Sequence, residues 1–140
     1  MPALIDSGVS VTAVDGNVLD RLGYPPYGAI NLATAGGMVT TPMYLVRLVL
    51  FSNVPGVRVR IVLDNVPVAA VDLSARQYRV LVCRDILRSV LLIYDGTMSQ
   101  ITVTYWVDLM RLVPCFTVAW TGGVVLGCEI SRLDGWVVPW

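Results

Sequence analysis

The sequence predicts a mainly antiparallel β domain with one or two short helices, and three observations support this fold class. Apolar and polar residues alternate with a period of two in several stretches, which is typical of half-buried strands. Clusters of Gly, Pro, Asn and Asp separate these stretches and predict turns. Helical patterning is confined to two short segments, so helices are expected to contribute little of the domain.

The period of two is clearest in three segments. From Tyr44 to Leu50, every second residue is apolar and these residues share one face of a strand that starts near Met43. In segment 57–63, four aliphatic residues face one way while Arg58 and Arg60 face the other. A third strand is expected at 100–105, where apolar residues alternate with Gln and Thr. The turn signals are Pro25-Pro26, Gly36-Gly37, Asn53 to Gly56, Asp64-Asn65 and Asp95-Gly96.

Two segments carry helix signals. Asp15 is a suitable N-cap for one or two turns that run to Leu22. Gly23 can end this helix in a left-handed conformation, and Pro25 prevents its continuation. The second segment, from Asp85 to Val90, is predicted to form another short helix.

Composition excludes several classes of function. The 140 residues carry no net charge, and the ten basic residues, all arginine, are scattered; a nucleic-acid interface needs a basic patch. There is no histidine, so the chain alone cannot form a Ser-His-Asp or Cys-His hydrolase. The three cysteines, Cys83, Cys115 and Cys128, lack the CxxC spacing of zinc sites. No metal or cofactor is therefore expected.

The chain is unusually apolar for a soluble domain. Hydrophobic residues make up 56% of it and charged residues 14%, and the mean hydropathy is +0.70. Apolar area in such excess predicts burial against a partner chain, so self-association is expected. No secretory signal is present at the amino end, where Asp6 interrupts the apolar stretch. The expected location is therefore the cytoplasm.

The last segment, 105–140, differs from the rest. Leu112 to Cys128 carries no charge, and its length is at the lower edge for a membrane-spanning helix. Pro114 and the Gly122-Gly123 pair disfavour such a helix. Additional strands or a poorly ordered apolar tail are the expected alternatives. A small membrane-associated protein anchored through this segment is the least favoured hypothesis for the whole chain.

The segment Ala3-Leu4-Ile5-Asp6-Ser7-Gly8 carries the candidate chemistry. An apolar strand that ends in Asp6 places a carboxylate at a rigid, dry position, where its electrostatic interactions are strong. The Ser7 hydroxyl can hold the loop, and Gly8 permits close approach of a second backbone or a substrate. Asp, Ser and Gly are also favoured turn residues, so this tripeptide alone fits an ordinary turn.

A second motif lies downstream, and together the two resemble a known family. Ala3 to Ser10, followed by Val18-Leu19-Asp20-Arg21-Leu22-Gly23, resembles the Ala-Leu-Ile-Asp-Thr/Ser-Gly-Ala-Ser motif and short helix of retropepsin-like aspartic proteases. Val80 to Leu87, with Leu91 to Gly96, is similar to that family's Gly-Arg-Asp-Ile-Leu element and the turn that follows it. The resemblance covers roughly Ala3 to Tyr105 and is closest to the small bacterial members.

The resemblance implies a fold and a reaction. The fold would be a small closed β barrel with a flap hairpin and one or two short helices. Asp6 would be the catalytic carboxylate of a peptidase that acts on a peptide or protein, with Ser7 and Gly8 supporting its loop. Because the chain has one such motif, the resemblance implies a homodimer in which the Asp6 residues of two subunits meet at a two-fold axis.

The resemblance also implies supporting roles for other residues. Arg84 and Asp85 would brace the active-site loop. The flap, which would contact the substrate, would have its tip at Thr34, Ala35, Gly36 and Gly37, although an ordinary β-turn explains these four residues equally well.

The sequence departs from the family in three places. Cys83 stands where the family has Gly, which predicts strain beside Arg84. Five residues precede Asp6, whereas the family has one or two strands there, so an N-terminally truncated form of the fold is expected. The resulting division is a protease domain at 1–104 and an apolar tail of unknown role at 105–140, which could replace the missing strands. An inactive relic of the fold, acting as an interaction or structural protein, is the alternative function.

Overall fold

A computed structural model describes residues 1–23, 25–34, 36–51, 60–98, 100–105, 116–121 and 126–132. Within these ranges the protein is mainly β, as the sequence predicts. The strands are β1 (Pro2–Ile5), β2 (Ala13–Asp15), β3 (Gly28–Thr34), β4 (Gly37–Phe51), β5 (Arg60–Val71), β6 (Val80–Val82), β7 (Val90–Asp95), β8 (Gln100–Tyr105), β9 (Phe116–Thr121) and β10 (Leu126–Ser131), and the helices are α1 (Gly16–Leu22) and α2 (Arg84–Leu87).

The main sheet has the strand order β10-β1-β6-β2-β5-β4-β3. Because β10 pairs with β4 as well as with β1, six of the strands form a ring and β3 extends from it. The strand β1 lies parallel to β6, with Ile5 opposite Val82. This closure confirms the expectation of a small, retropepsin-like β fold.

The strand β10 comes from the apolar tail and covers the free side of β1. Pro2 lies opposite Gly127, and the Met1 and Cys128 backbones exchange two hydrogen bonds of 2.8 Å. The expectation that the tail replaces strands before Asp6 stays a prediction. The division of the chain at residue 104 stays a prediction.

A smaller sheet, in the order β7-β8-β9, packs beside the main one. Leu92 and Val103 contact the core from this sheet, and Ile101 is part of the core. The predicted strand at 100–105 is therefore present as β8. Thr104 is buried while Val103 is half-buried, so burial in β8 does not follow the simple alternation of the sequence.

The core lies inside the ring and follows the predicted pattern on β4. Tyr44, Val46, Leu48 and Leu50 are all buried there. Val49, on the opposite face, is buried as well, so β4 is covered on both sides at that point. In the second predicted strand, 61 and 63 are half-buried positions of β5, while positions 57–59 and the turn at 53–56 lie outside the described residues.

The helix α1 has both of the predicted end signals. The Asp15 carboxylate accepts a hydrogen bond of 2.9 Å from the Asn17 N–H and is also paired with Arg79 at 3.2 Å. Gly23 follows with φ 69°, a conformation that glycine adopts without strain. These contacts fix the start of α1 directly after β2, and the helix packs against β2 and β5.

The second helix is shorter than the sequence predicts. It begins at Arg84 and ends at Leu87, and Val90 is already the first residue of β7. The predicted end at Val90 was wrong because the pairing of Val90 with Tyr105 on β8 draws the chain into a strand. In the described part of the chain, no helix has the length and apolar character to span a membrane.

Candidate active site

Asp6 lies where β1 ends, in a backbone position set by the parallel pairing with β6. Its N–H donates to the Val82 carbonyl at 3.0 Å, which continues the strand ladder by one residue. Ala3, earlier on β1, is fully buried, whereas Asp6 is half-buried and Ser7 and Gly8 are exposed. The apolar strand therefore carries the carboxylate from the core to the surface.

The Asp6 carboxylate is held on one side only. Its Oδ1 accepts a hydrogen bond of 2.8 Å from the Gly8 N–H. Among the residues that the structure describes, no donor contacts Oδ2. A Cβ atom at position 8 would come within 3.1 Å of Asp6 Oδ1, so a larger residue there would displace the carboxylate by a few tenths of an ångström. One oxygen is thus fixed while the other is available to a second group.

Asp85 connects the loop after Asp6 to the helix α2. Its Oδ2 accepts from the Thr12 N–H at 2.8 Å, and its Oδ1 accepts from the Thr12 hydroxyl at 2.6 Å and from the Ile86 N–H at 2.9 Å. Thr12 is fully buried. Hydrogen bonds to an ionised carboxylate are stronger than neutral ones, so this contact fixes the far end of the loop.

Arg84 holds the middle of the same loop. Its backbone N–H donates to the Val9 carbonyl at 3.1 Å, and its guanidinium donates to the Ser10 hydroxyl at 2.5 Å. Arg84 and Asp85 therefore contact the loop after Asp6, as the sequence predicts. Each lies more than 70 positions from its partner in the sequence. Thr12 is the partner that sequence reasoning missed. The only sequence signal for it is a hydroxyl residue between the apolar residues Val11 and Ala13.

Cys83 occupies its position without backbone strain. Its φ of −108° and ψ of −174° are extended values that any residue adopts. The side chain is fully buried, and its thiol lies 3.5 Å from the Leu81 carbonyl. Burial, with smaller contributions from the negative charges of Asp85 and Asp6, raises the pKa of the Cys83 thiol to about 12. The strain expected from replacing Gly is absent, and the thiol is neutral at physiological pH.

The predicted flap segment forms the tip of a hairpin between β3 and β4. Thr34 lies opposite Gly37, and the Thr34 hydroxyl donates to the Gly37 carbonyl at 2.8 Å while it accepts from the Gly36 N–H at 3.2 Å. Gly37 has φ 112°, which favours glycine. Ala35 lies outside the described residues.

The side chains next to this tip are apolar and exposed. Met38 is 69% exposed and Val39 is 49% exposed. The hairpin extends from the edge of the ring and carries these two exposed apolar side chains. The geometry is that of a hairpin, and a flap role for it stays a prediction.

Several carboxylates in the described residues lie outside this arrangement. No group of three or more His, Cys, Asp or Glu side chains within the described ranges could hold a metal ion. Asp72 and Asp95 are exposed and occupy turns of their own, in which each accepts hydrogen bonds from a residue two positions later. The described site consists of one carboxylate, Asp6, and the residues that hold its loop.

Comparison with known proteins identifies the family. No curated protein and no solved structure matches the chain. The model of an aspartyl protease family of the retropepsin-like clan matches residues 1–100, a span that includes Asp6, the hairpin tip and the Arg84-Asp85 pair. The chain belongs to this aspartyl protease family.

Proposed function

We propose that the protein is an aspartic endopeptidase in which Asp6 residues from two copies of the chain form the catalytic pair. The observation that carries the proposal is the state of the Asp6 carboxylate. One oxygen is fixed by Gly8, and the other has no donor among the described residues. Such a carboxylate is positioned for a second group without being neutralised by one.

The requirement for a second copy follows from the chemistry. Two carboxylates about 3 Å apart cannot both ionise, so they share a proton. The chain offers one Asp-Ser-Gly motif, and the exposed Ser7-Gly8 turn leaves Asp6 accessible to an identical loop. A two-fold axis beside Asp6 would bring the pair together.

The reaction proceeds with general acid and base in one pair. The ionised carboxylate takes a proton from a water molecule, whose oxygen attacks the carbonyl carbon of the peptide bond. The protonated carboxyl gives its proton to the carbonyl oxygen, which yields a tetrahedral diol. The carboxyl that took the proton from water then gives it to the nitrogen as the C–N bond breaks, and the other carboxylate takes a proton from one hydroxyl of the diol. The products are a carboxylic acid and an amine.

Substrate contacts are assigned to the hairpin tip. The turn at Thr34, Gly36 and Gly37 would cover a bound peptide, and Met38 and Val39 would contact apolar side chains of that peptide. No cofactor takes part in this mechanism.

The inactive relic receives less support than it did from the sequence. That alternative depended on the expected truncation before Asp6 and on Cys83 at a glycine position. The strand β10 lies along β1, and the Cys83 backbone is extended. Neither feature therefore argues for a damaged site.

The test is peptidase activity of the purified chain at mildly acidic pH against a broad peptide library. Asp6→Asn should lower kcat/KM by about three orders of magnitude, since general acid–base groups contribute roughly 10²–10⁴-fold. Asp95→Asn is the matched control, because it makes the same chemical change in another Asp turn, and it should retain full activity. A statine-type mimic of the diol should inhibit the wild type. Equal activity of Asp6→Asn and wild type would overturn the proposal.

A further inference from the structure

We infer that the hydroxyl of Thr12 is a positioning group for Asp6, acting through the peptide unit between Val82 and Cys83. This inference rests on the proposed function and adds a residue to its machinery. Thr12 does not touch the reacting atoms. It controls the orientation of the one peptide plane that holds the Asp6 backbone.

The first step is the geometry of that peptide unit. Its carbonyl, from Val82, accepts the Asp6 N–H at 3.0 Å. Its N–H, from Cys83, donates to Thr12 Oγ1 at 3.1 Å. The C=O and N–H of a trans peptide point in opposite directions from one rigid plane. Asp6 and Thr12 therefore form hydrogen bonds to opposite edges of the same peptide plane.

The second step is the direction of the Thr12 hydroxyl. A hydroxyl has one proton to donate and two lone pairs that accept. The Thr12 hydroxyl donates its proton to Asp85 Oδ1 at 2.6 Å. This fixes the lone pairs toward the Cys83 N–H. The resulting series of hydrogen bonds runs from Asp85 through Thr12 and the peptide unit to Asp6. Hydrogen bonds in such a series polarise and strengthen one another.

The third step is burial, which removes the alternatives. Thr12 and Cys83 are both 0% exposed, so water does not replace a lost partner at this point. Without the hydroxyl, the Cys83 N–H would be a buried donor with no acceptor, and the peptide plane would rotate to satisfy it. That rotation moves the Val82 carbonyl and, with it, the Asp6 N–H.

The effect on catalysis follows from the tolerance of a paired site. Catalytic groups must stay within about 0.5 Å of the productive geometry, and a displacement of about 1 Å costs on the order of a hundredfold in rate. The displacement also weakens the coupling between the two carboxylates of the pair. Their two titration steps then move closer together, so the bell-shaped pH profile narrows from both sides.

The experiment compares Thr12→Val with Thr12→Ser and with Thr104→Val. Valine has the shape of threonine without the hydroxyl, serine keeps the hydroxyl, and Thr104 is a buried threonine of the second sheet. We expect Thr12→Val to lower kcat by about ten- to a hundredfold with KM little changed, and to narrow both limbs of the pH profile of kcat/KM. Thr12→Ser should restore the width, and Thr104→Val should match the wild type.

Two results would overturn the inference. One is a Thr12→Val protein with wild-type kcat and pH profile. The other is a loss of activity that only reflects fewer active molecules. In that case the rate per active site, with active sites counted by titration with a tight-binding inhibitor, equals that of the wild type, and the pH profile of kcat/KM keeps its width. Arg84 and Asp85 are the charged groups that contact this loop.

A measurement without substrate separates this inference from the proposed function. Amide hydrogen exchange at Asp6 and Cys83, followed by NMR, should be faster in Thr12→Val than in the wild type and should recover in Thr12→Ser. Unchanged exchange at Asp6 contradicts the positioning role. A wild-type protein that cleaves no peptide contradicts the proposed function, and the exchange rates at Asp6 then decide whether Thr12 positions that residue.

Discussion

Two turns in this protein share a local design and differ in what holds them. In both, an aspartate Oδ1 accepts the N–H of the residue two positions later, at 2.8 Å for Asp6 and Gly8 and at 2.9 Å for Asp95 and Thr97. The Asp95 turn joins β7 to β8 and is completed by its neighbours, since the same oxygen also accepts from the Thr97 hydroxyl and from the Met98 N–H.

The Asp6 turn is completed by distant residues instead. Its backbone is held by Val82, and its loop is held by Arg84 and Asp85 through Val9, Ser10 and Thr12. The difference teaches how a structural carboxylate is distinguished from a candidate catalytic one. The Asp95 carboxylate satisfies three donors of its own turn, whereas the Asp6 carboxylate accepts one donor of its turn and its loop is supported through other groups.

The largest expected effect on stability comes from removing the distant support. In Asp85→Ala, the N–H and hydroxyl of Thr12 lose their acceptors while buried. A buried donor without a partner costs about 1–3 kcal/mol, so the free energy of unfolding should fall by about 2–4 kcal/mol. Urea denaturation of the wild type and of Asp85→Ala measures this difference in the free energy of unfolding.

Asp95→Ala is the comparison for that measurement. Its donors are exposed and can bond to water, so the free energy of unfolding should fall by much less than in Asp85→Ala. Equal losses in the two variants would mean that the Asp6 loop is no better anchored than an ordinary turn.

A smaller effect is expected at Cys83, whose N–H takes part in the support of Asp6. If the position needed glycine, Cys83→Gly would stabilise the protein. Because the backbone is extended and the side chain is fully buried, we expect Cys83→Gly to lower the free energy of unfolding by about 1–2 kcal/mol, from the lost packing and the greater freedom of the unfolded chain.

Cys83→Ala separates the two causes, because alanine keeps the Cβ atom and restricts the unfolded backbone. Its loss should be smaller than that of Cys83→Gly. Thermal unfolding of the three proteins side by side decides the order. A Cys83→Gly protein more stable than the wild type would show that the cysteine strains the site.

The same contrast between local and distant contacts explains what the sequence could predict. The ends of α1 were predictable, because Asp15 and Gly23 act on the nearest turn of backbone. The end of α2 was not, because β8 pairs with Val90 and takes it into a strand. Asp6 could be found from its motif.

Other parts of the site depend on contacts that no local pattern encodes. Thr12 could not be assigned a role, because its partners Cys83 and Asp85 are 71 and 73 residues away in sequence. The position of β10 likewise depends on its pairing with two strands, β1 and β4, that lie far away in the sequence. The apolar composition of the tail predicts that it is buried, but it does not indicate which strand the tail pairs with.

The smallest expected effect concerns the Asp95 turn itself. The hydroxyl of Thr97 contributes most, with the Met98 N–H next, to holding the pKa of Asp95 below its ordinary value of 3.8. Thr97→Val removes the hydroxyl, so the pKa of Asp95 should rise toward the ordinary value. A carbon-detected NMR titration of the side-chain carboxyl measures this shift.

The sign of the linked stability change can be worked out from that direction. A carboxyl whose pKa is lowered on folding adds stability above its unfolded pKa, and this stability is lost as pH falls through the folded pKa. The wild type should therefore lose this contribution on acidification below about pH 4, while Thr97→Val has less of it to lose.

Ser74→Ala is an independent check, because the Ser74 hydroxyl lowers the pKa of Asp72 in the same way. If the local turn is purely structural, neither variant changes peptidase activity, and a loss of activity in Thr97→Val alone would give the Asp95 turn a functional role that its local contacts do not suggest.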